Sequence, residues 1–144
     1  MKSIIVAMVV IIAGSCTPKN IKGDESKNVA IANAMFDAFN KHQWEAMAGY
    51  YAEPASFLDP SFGLEYVNKS RAEVAEKYRG MEDVFPDIHD ELTGIYPHED
   101  KVIVEFVSTG KASDSVSFSL PIITVLTIKD GLIVKDATYY DNQN

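Results

Sequence analysis

The sequence predicts an α+β fold in which a curved antiparallel sheet wraps over three N-terminal helices. Three observations predict it. Apolar residues step by three and four through the first half of the chain. From Ile88 the period changes to two, with Val, Ile and Phe in abundance. Tight-turn sequences, PHED and KDGL, separate the later strand patterns. Helices first and strands afterwards is the order of an α+β domain rather than of repeating β-α-β units.

The elements follow in order. Asn28 to Asn40 places Val29, Ile31, Ala32, Met35, Phe36 and Phe39 on one face of an amphipathic helix. A second, shorter helix sets Trp44, Met47, Ala48 and Tyr51 on one face, with Trp44 as its core anchor and Pro54 as its stop. ASFLDP reads as a short strand running into a turn. Ser70 opens the third helix, because Ser70 and Glu73 form a capping box in which each side chain bonds the other's free backbone N–H. Val74 and Tyr78 supply its inner face, and Gly80 then Pro86 mark its end. IHDELTGIY, KVIVEFVSTGK, VSFSLPIITVLTI and IVKDATYYD are the strands. Pro121 in the third of these indicates a bulge or an edge position, since proline has no N–H for the ladder.

The chain has 144 residues and a formal net charge of −8. Residues 1–15 read as a secretory signal: Lys2, an apolar run from Ile4 to Ala13, then Gly14-Ser15. The run is shorter than the roughly 20 residues a membrane span needs. Residues 16–27 are polar and read as a tether, and 28–144 as one domain. Cys16 is the sole cysteine, so no internal disulfide can form. No basic patch exists, so nucleic acid is not an expected partner. His42, His89 and His98 show no metal-ligand spacing, and neither a phosphate-cradling glycine loop nor a G-x-S-x-G nucleophile motif occurs. No metal and no cofactor is expected.

Two resemblances add to these readings. IIAGSC resembles the lipobox of bacterial lipoproteins, with Ala13 where Leu is usual. This implies an acylated Cys16 at the mature N-terminus and an exported protein anchored to the bilayer of the cell envelope, on the periplasmic side. The stretches FDAFNKHQWEAMAGYYAEPASFLDP, FPDIHDEL and KDGLIVKDATYYD, in that order across residues 29–141, resemble the NTF2-like superfamily, and within it the SnoaL-like domains and ketosteroid isomerases. The resemblance implies a cone whose apolar pocket holds a small apolar or amphipathic molecule. It does not select an activity, because one fold hosts many.

Asp59 stands in SFLDPSFG, an acid beside Phe57, Leu58 and Phe62. Desolvation there would raise its pKa and make it a better base; equally, Asp before Pro starts turns. The resemblance implies the first role, since ketosteroid isomerases carry their base directly before a proline at this position. Those enzymes also polarise a carbonyl with a tyrosine on the first helix and a protonated acid in a strand. Alignment puts Met35 and Ile123 at these places, neither with a hydrogen-bond donor, so steroid isomerisation is not expected. In the last strand Asp136, Thr138 and Tyr140 share a face with Val134. In the SnoaL cyclases an Asp of this strand is the acid-base residue. Alignment puts Thr138 there, with Asp136 one step along. Glu105 points either into the cavity or onto a sheet face covered by a second subunit. If inward, Val102, Val104 and Phe106 form the paired face. His89 is either a proton shuttle or a surface histidine. Tyr50, Tyr51, Tyr78 and Tyr139 are further aromatic candidates for pocket or core.

Three functions remain open. The first is a tethered binding module with acid-base chemistry as a possibility. The second is a cofactor-free isomerase, cyclase or lyase with Asp59 as base, helped by Asp136 or His89. The third is a module that dimerises through the sheet with its pocket filled.

Overall fold

A computed structural model describes residues 21–141. The expected signal segment 1–15 and Cys16 lie outside the described residues. Helix α1 spans Ile21–Asn40, α2 Trp44–Ala48 and α3 Arg71–Val84; strands are β1 Tyr51–Leu58, β2 Val67–Lys69, β3 His89–His98, β4 Lys101–Ser113, β5 Val116–Lys129 and β6 Leu132–Tyr139.

α1 starts earlier than its apolar period, which begins at Val29. Its polar first turns dock on the turn between β3 and β4. There Glu25 accepts from the Glu99 N–H at 2.9 Å, and the Asn28 amide donates to the Glu99 carbonyl at 3.1 Å. α2 is shorter than expected. Trp44, Met47, Ala48 and Tyr51 are all buried, but Tyr51 is buried by the sheet. It begins β1, and Pro54 lies inside that strand after a cis Glu53–Pro54 bond. Pairing with β6 overrides the helical step. β2 carries no sequence signal of its own. α3 opens as expected: the Glu73 N–H donates to Ser70 Oγ, and the Ser70 N–H donates to the Glu73 carboxylate at 2.9 Å. It continues through Gly80 and ends before Pro86.

The strands form one unclosed sheet in the order β2-β1-β6-β5-β4-β3. It is mixed rather than antiparallel, because β1 runs parallel to β6. β3 to β6 are joined by consecutive tight turns, which force antiparallel pairing. β1 and β6 are far apart in sequence, so no turn fixes their direction. The β5–β6 turn has Asp130 at φ 51° and Gly131 at φ 79°, the left-handed pair a two-residue hairpin needs. Pro121 lies beyond the β5–β6 ladder, whose first pair is Ile123 with Tyr139. It is thus an edge proline with β4 alone as neighbour.

Alternation sorts the faces. On β4, Val102, Val104, Phe106 and Ser108 are buried under the helices, while Ile103, Glu105 and Val107 point outward. Register shifts after Leu92, Lys111 and Thr127 bend the sheet. Phe36 of α1 packs edge-on against Phe106 with centroids 4.9 Å apart, tying helix to sheet. Gly110 lets the far end close: a Cβ there would lie 2.6 Å from the Phe118 ring and 3.0 Å from Phe85.

Candidate functional site

A cavity of about 280 Å³ lies between the helices and the inner sheet face. α1 lines it with Met35, Phe36 and Phe39, and α3 with Lys77, Tyr78 and Met81. The sheet adds Phe106, Phe118, Leu120 and Ile122. This volume and apolar wall suit a small organic molecule. Three carboxyls interrupt the wall, and each has a different setting.

Asp59 follows the end of β1 and is buried. Its Oδ1 accepts from the Ser61 N–H at 2.7 Å and from the Tyr140 hydroxyl at 3.0 Å; its Oδ2 accepts from Lys77 Nζ at 2.7 Å. Burial pushes this carboxyl upward, but Lys77 and the Ser61 N–H outweigh it and hold the group below its ordinary value. Asp59 is therefore both a turn former and a cavity residue, and its partners keep it ionised. The same carboxylate helps push the Tyr140 phenol, already raised by burial, to about 12.

Asp136 reaches the cavity from β6. Oδ1 accepts from Thr124 at 2.6 Å and Thr138 at 2.9 Å, and Oδ2 accepts from Tyr51 at 2.8 Å. Burial raises this carboxyl, and the hydroxyls oppose the rise in part. Burial likewise raises Tyr51 and Tyr78, so both keep their protons. Tyr51 and Tyr140 direct their hydroxyls at Asp136 and Asp59; Tyr78 bonds to neither carboxylate.

Asp90 lies on β3, where it points inward like Ile88 just before the strand, and His89 points outward. Asn40 at the end of α1 holds it by the backbone, donating to the Asp90 carbonyl and accepting from its N–H, both at 2.8 Å. His42 bridges Glu82 and the Ile88 carbonyl at 2.9 Å each, fixing the approach to β3. The Trp44 indole donates to the same Glu82 at 2.6 Å. The Asp90 carboxyl, 6% exposed, has an Oδ1 without a hydrogen-bond partner among the described residues. Burial pushes it up to about 7, with the Ser108 hydroxyl opposing.

Of the residues singled out from sequence, Asp59, Asp136, Met35, Thr138 and Tyr140 converge on this cavity. Four do not. His89 is exposed on the outer face, because it alternates with Asp90. Glu105 lies on the outer face, accepting from the Tyr96 hydroxyl at 3.2 Å. Val102, Val104 and Phe106 are consequently core and cannot be the paired face. Ile123 is 42% exposed, and its neighbours Ile122 and Thr124 line the cavity instead; a one-residue step changes face. Phe57 is buried but packs on Tyr51 and Phe62 behind the wall. The absence of donors at Met35 and Ile123 is not an absence from the cavity, since Tyr51, Tyr78, Tyr140 and Lys77 line it. Tyr50 is half-buried and Tyr139 exposed. Sequence reasoning missed Lys77, which pairs with Asp59, and Asp90. The signal for Asp90 was the alternation of Ile88, Asp90 and Leu92, which puts an acid on an apolar face. Among the described residues no group of His, Cys, Asp and Glu is placed to hold a metal, and no helix is long and apolar enough to cross a membrane.

Residues 32–135 match the model of a SnoaL-like domain. No curated protein matches the chain. Solved structures share the fold. A hypothetical protein of Catenulispora acidiphila with a ketosteroid isomerase-like fold, in complex with trimethylamine, is 21% identical; the match covers 78% of this chain and 85% of that one, with a TM-score of 0.69. IdmH of Streptomyces antibioticus, described as a candidate polyketide cyclase, is 20% identical over 80% of this chain and 92% of its own, with a TM-score of 0.70. An LEH-like epoxide hydrolase of M. tuberculosis is 13% identical over 82% and 85%, with a TM-score of 0.69.

Proposed function

As the chain belongs to the SnoaL-like domain family, we propose that it holds a small apolar or amphipathic molecule in the cone cavity and moves a proton on it without a cofactor. The observation that carries this is Asp90, a buried carboxyl with an unpartnered oxygen in an apolar cavity, raised to about 7. A group that titrates near working pH is the best proton carrier, because both of its forms are populated. Tyr78 keeps its proton and is the donor for an oxygen on which charge develops. Asp59, held ionised by Lys77, supplies fixed charge instead of acting as the base. The reaction class is that of a cofactor-free isomerase, cyclase or lyase.

The test is deuterium uptake from D2O into a panel of small ketones and other carbon acids, alongside their effect on thermal unfolding. Ligands should raise the melting temperature, and Asp90→Asn should slow exchange by about a hundredfold or more. Exchange that survives in Asp90→Asn removes Asp90 from the chemistry; a panel that shifts nothing removes the cavity from it.

Two further readings have their own support. The apolar run before Cys16 supports export and a lipid anchor, and Cys16→Ser should then move the protein from the membrane to the soluble fraction. The outer sheet face exposes Tyr96 paired with Ile103 and Ile123 paired with Tyr139, the two pairs set diagonally to one another beside Glu105. Exposed apolar side chains of this kind support a homodimer, and Ile123→Lys should shift sedimentation to the monomer.

A further inference from the structure

The charge inside the cavity does not balance. Among the described residues, Asp59, Asp90 and Asp136 line it against one ammonium, Lys77. Lys77 is engaged with Asp59 at 2.7 Å. Asp136 is surrounded by hydroxyls, which are neutral donors. Asp90 has an oxygen with no partner among the described residues and is 6% exposed. A buried carboxylate left in that state is costly, and a matching cation would lower the cost.

The wall around Asp90 is suited to such a cation. The sheet register puts Asp90 opposite Ser108 and Ser108 opposite Leu120. On the same face Phe106 and Phe118 lie one step to either side of that row, and both line the cavity. Aromatic faces attract an ammonium whose charge is spread under alkyl groups, and a carboxylate attracts it more strongly. An anionic ligand would meet a surplus of negative charge, and a neutral apolar one without a donor would leave Asp90 unanswered. We propose that the cavity takes a substituted ammonium, its cationic nitrogen against the Asp90 carboxylate and its alkyl or aryl body against the apolar wall. This rests on the reading that the cavity binds a small molecule, and it narrows the class of that molecule.

The experiment compares two probes of nearly equal shape on the full chain at pH 8: benzyltrimethylammonium and its neutral isostere neopentylbenzene, by calorimetry or ligand-observed NMR. The cation should bind about tenfold or more tighter than the isostere. Asp90→Asn should remove that advantage and leave the isostere's affinity unchanged. If the isostere binds as well as the cation, the cationic class is wrong while the small-molecule reading stands. A cation advantage that persists in Asp90→Asn also overturns the proposal, because the charge then sits elsewhere. If neither probe binds, both readings fall. The comparison in the unsubstituted chain needs no variant, so a failure of Asp90→Asn to fold leaves the test intact.

Discussion

The side chain of Asn40 bonds both backbone groups of Asp90, donating to its carbonyl and accepting from its N–H, each at 2.8 Å. β3 is the last strand of the sheet. At Asp90 the end of α1 therefore stands in for a strand that the sheet lacks on that side. The same contact fixes the residue whose carboxyl faces the cavity. Helix end, sheet edge and candidate site are one unit.

Asn40→Ala should remove two bonds from part-buried backbone groups at once. We expect a loss of about 2 kcal/mol in urea unfolding, with faster amide exchange from Ile88 to Leu92. An unchanged exchange pattern in that segment would show that β4 alone holds β3 in place.

The Asp90 carboxyl should titrate near 7 in a carbon-detected NMR experiment, against an ordinary value of 3.8. The folded state then binds more protons than the unfolded state between these two values. Stability must accordingly fall as pH rises from about 4 to about 7, by up to roughly 4 kcal/mol from this group. Asp90→Asn should flatten that slope and be more stable than the parent at pH 8. A parent whose stability does not fall across this range would place Asp90 in a wetter site.

Lys77→Met leaves the buried Asp59 carboxylate without its cation. Such a break costs about 3 kcal/mol or more, and Asp59 should then titrate higher than in the parent, because the Ser61 N–H is left to oppose burial without the ammonium. The sign for the parent is the reverse of that for Asp90. Asp59 is lowered in the folded state, so its contribution is present at neutral pH and is lost as pH falls through its folded pKa. Denaturation curves and an Asp59 titration on both proteins check the pair.

Tyr51→Phe removes the hydroxyl that donates to Asp136 Oδ2 at 2.8 Å. The ring still packs, so the loss should be about 1–2 kcal/mol. The Asp136 carboxyl should rise further, since one of the bonds that opposes its burial is gone. A carboxyl that stays where it was would mean that Thr124 and Thr138 already satisfy it.

Gly110→Ala puts a methyl carbon where Phe118 and Phe85 stand. The Phe118 ring and the Phe85 Cβ must give way, at a cost of about 1–3 kcal/mol. Ring resonances of Phe85 and Phe118 should move together. Two rings that move independently would argue against a shared closure of this end.

The sequence by itself determined the fold class, the order of the helices and of every strand but β2, the capping box at Ser70 and the hairpin at Asp130-Gly131. All of these are local: a period, a cap or a positive φ is decided within a few residues. It also put Asp136, Thr138 and Tyr140 on one face, because alternation is a property of the strand alone. Tertiary structure decided everything that required knowing which face is inside. Period two could not say whether Glu105 or Phe106 looks inward, nor whether Ile122 or Ile123 does; only the helices lying on the sheet settle that. The parallel pairing of β1 with β6 joins segments that no turn connects. The fate of Asp59 depended on Lys77, eighteen residues away on α3, whose ammonium converts an acid in an apolar stretch into a fixed anion. Asp90, with no such cation, became the carboxyl that burial governs. Desolvation is a property of the assembled wall, and no local pattern carries it.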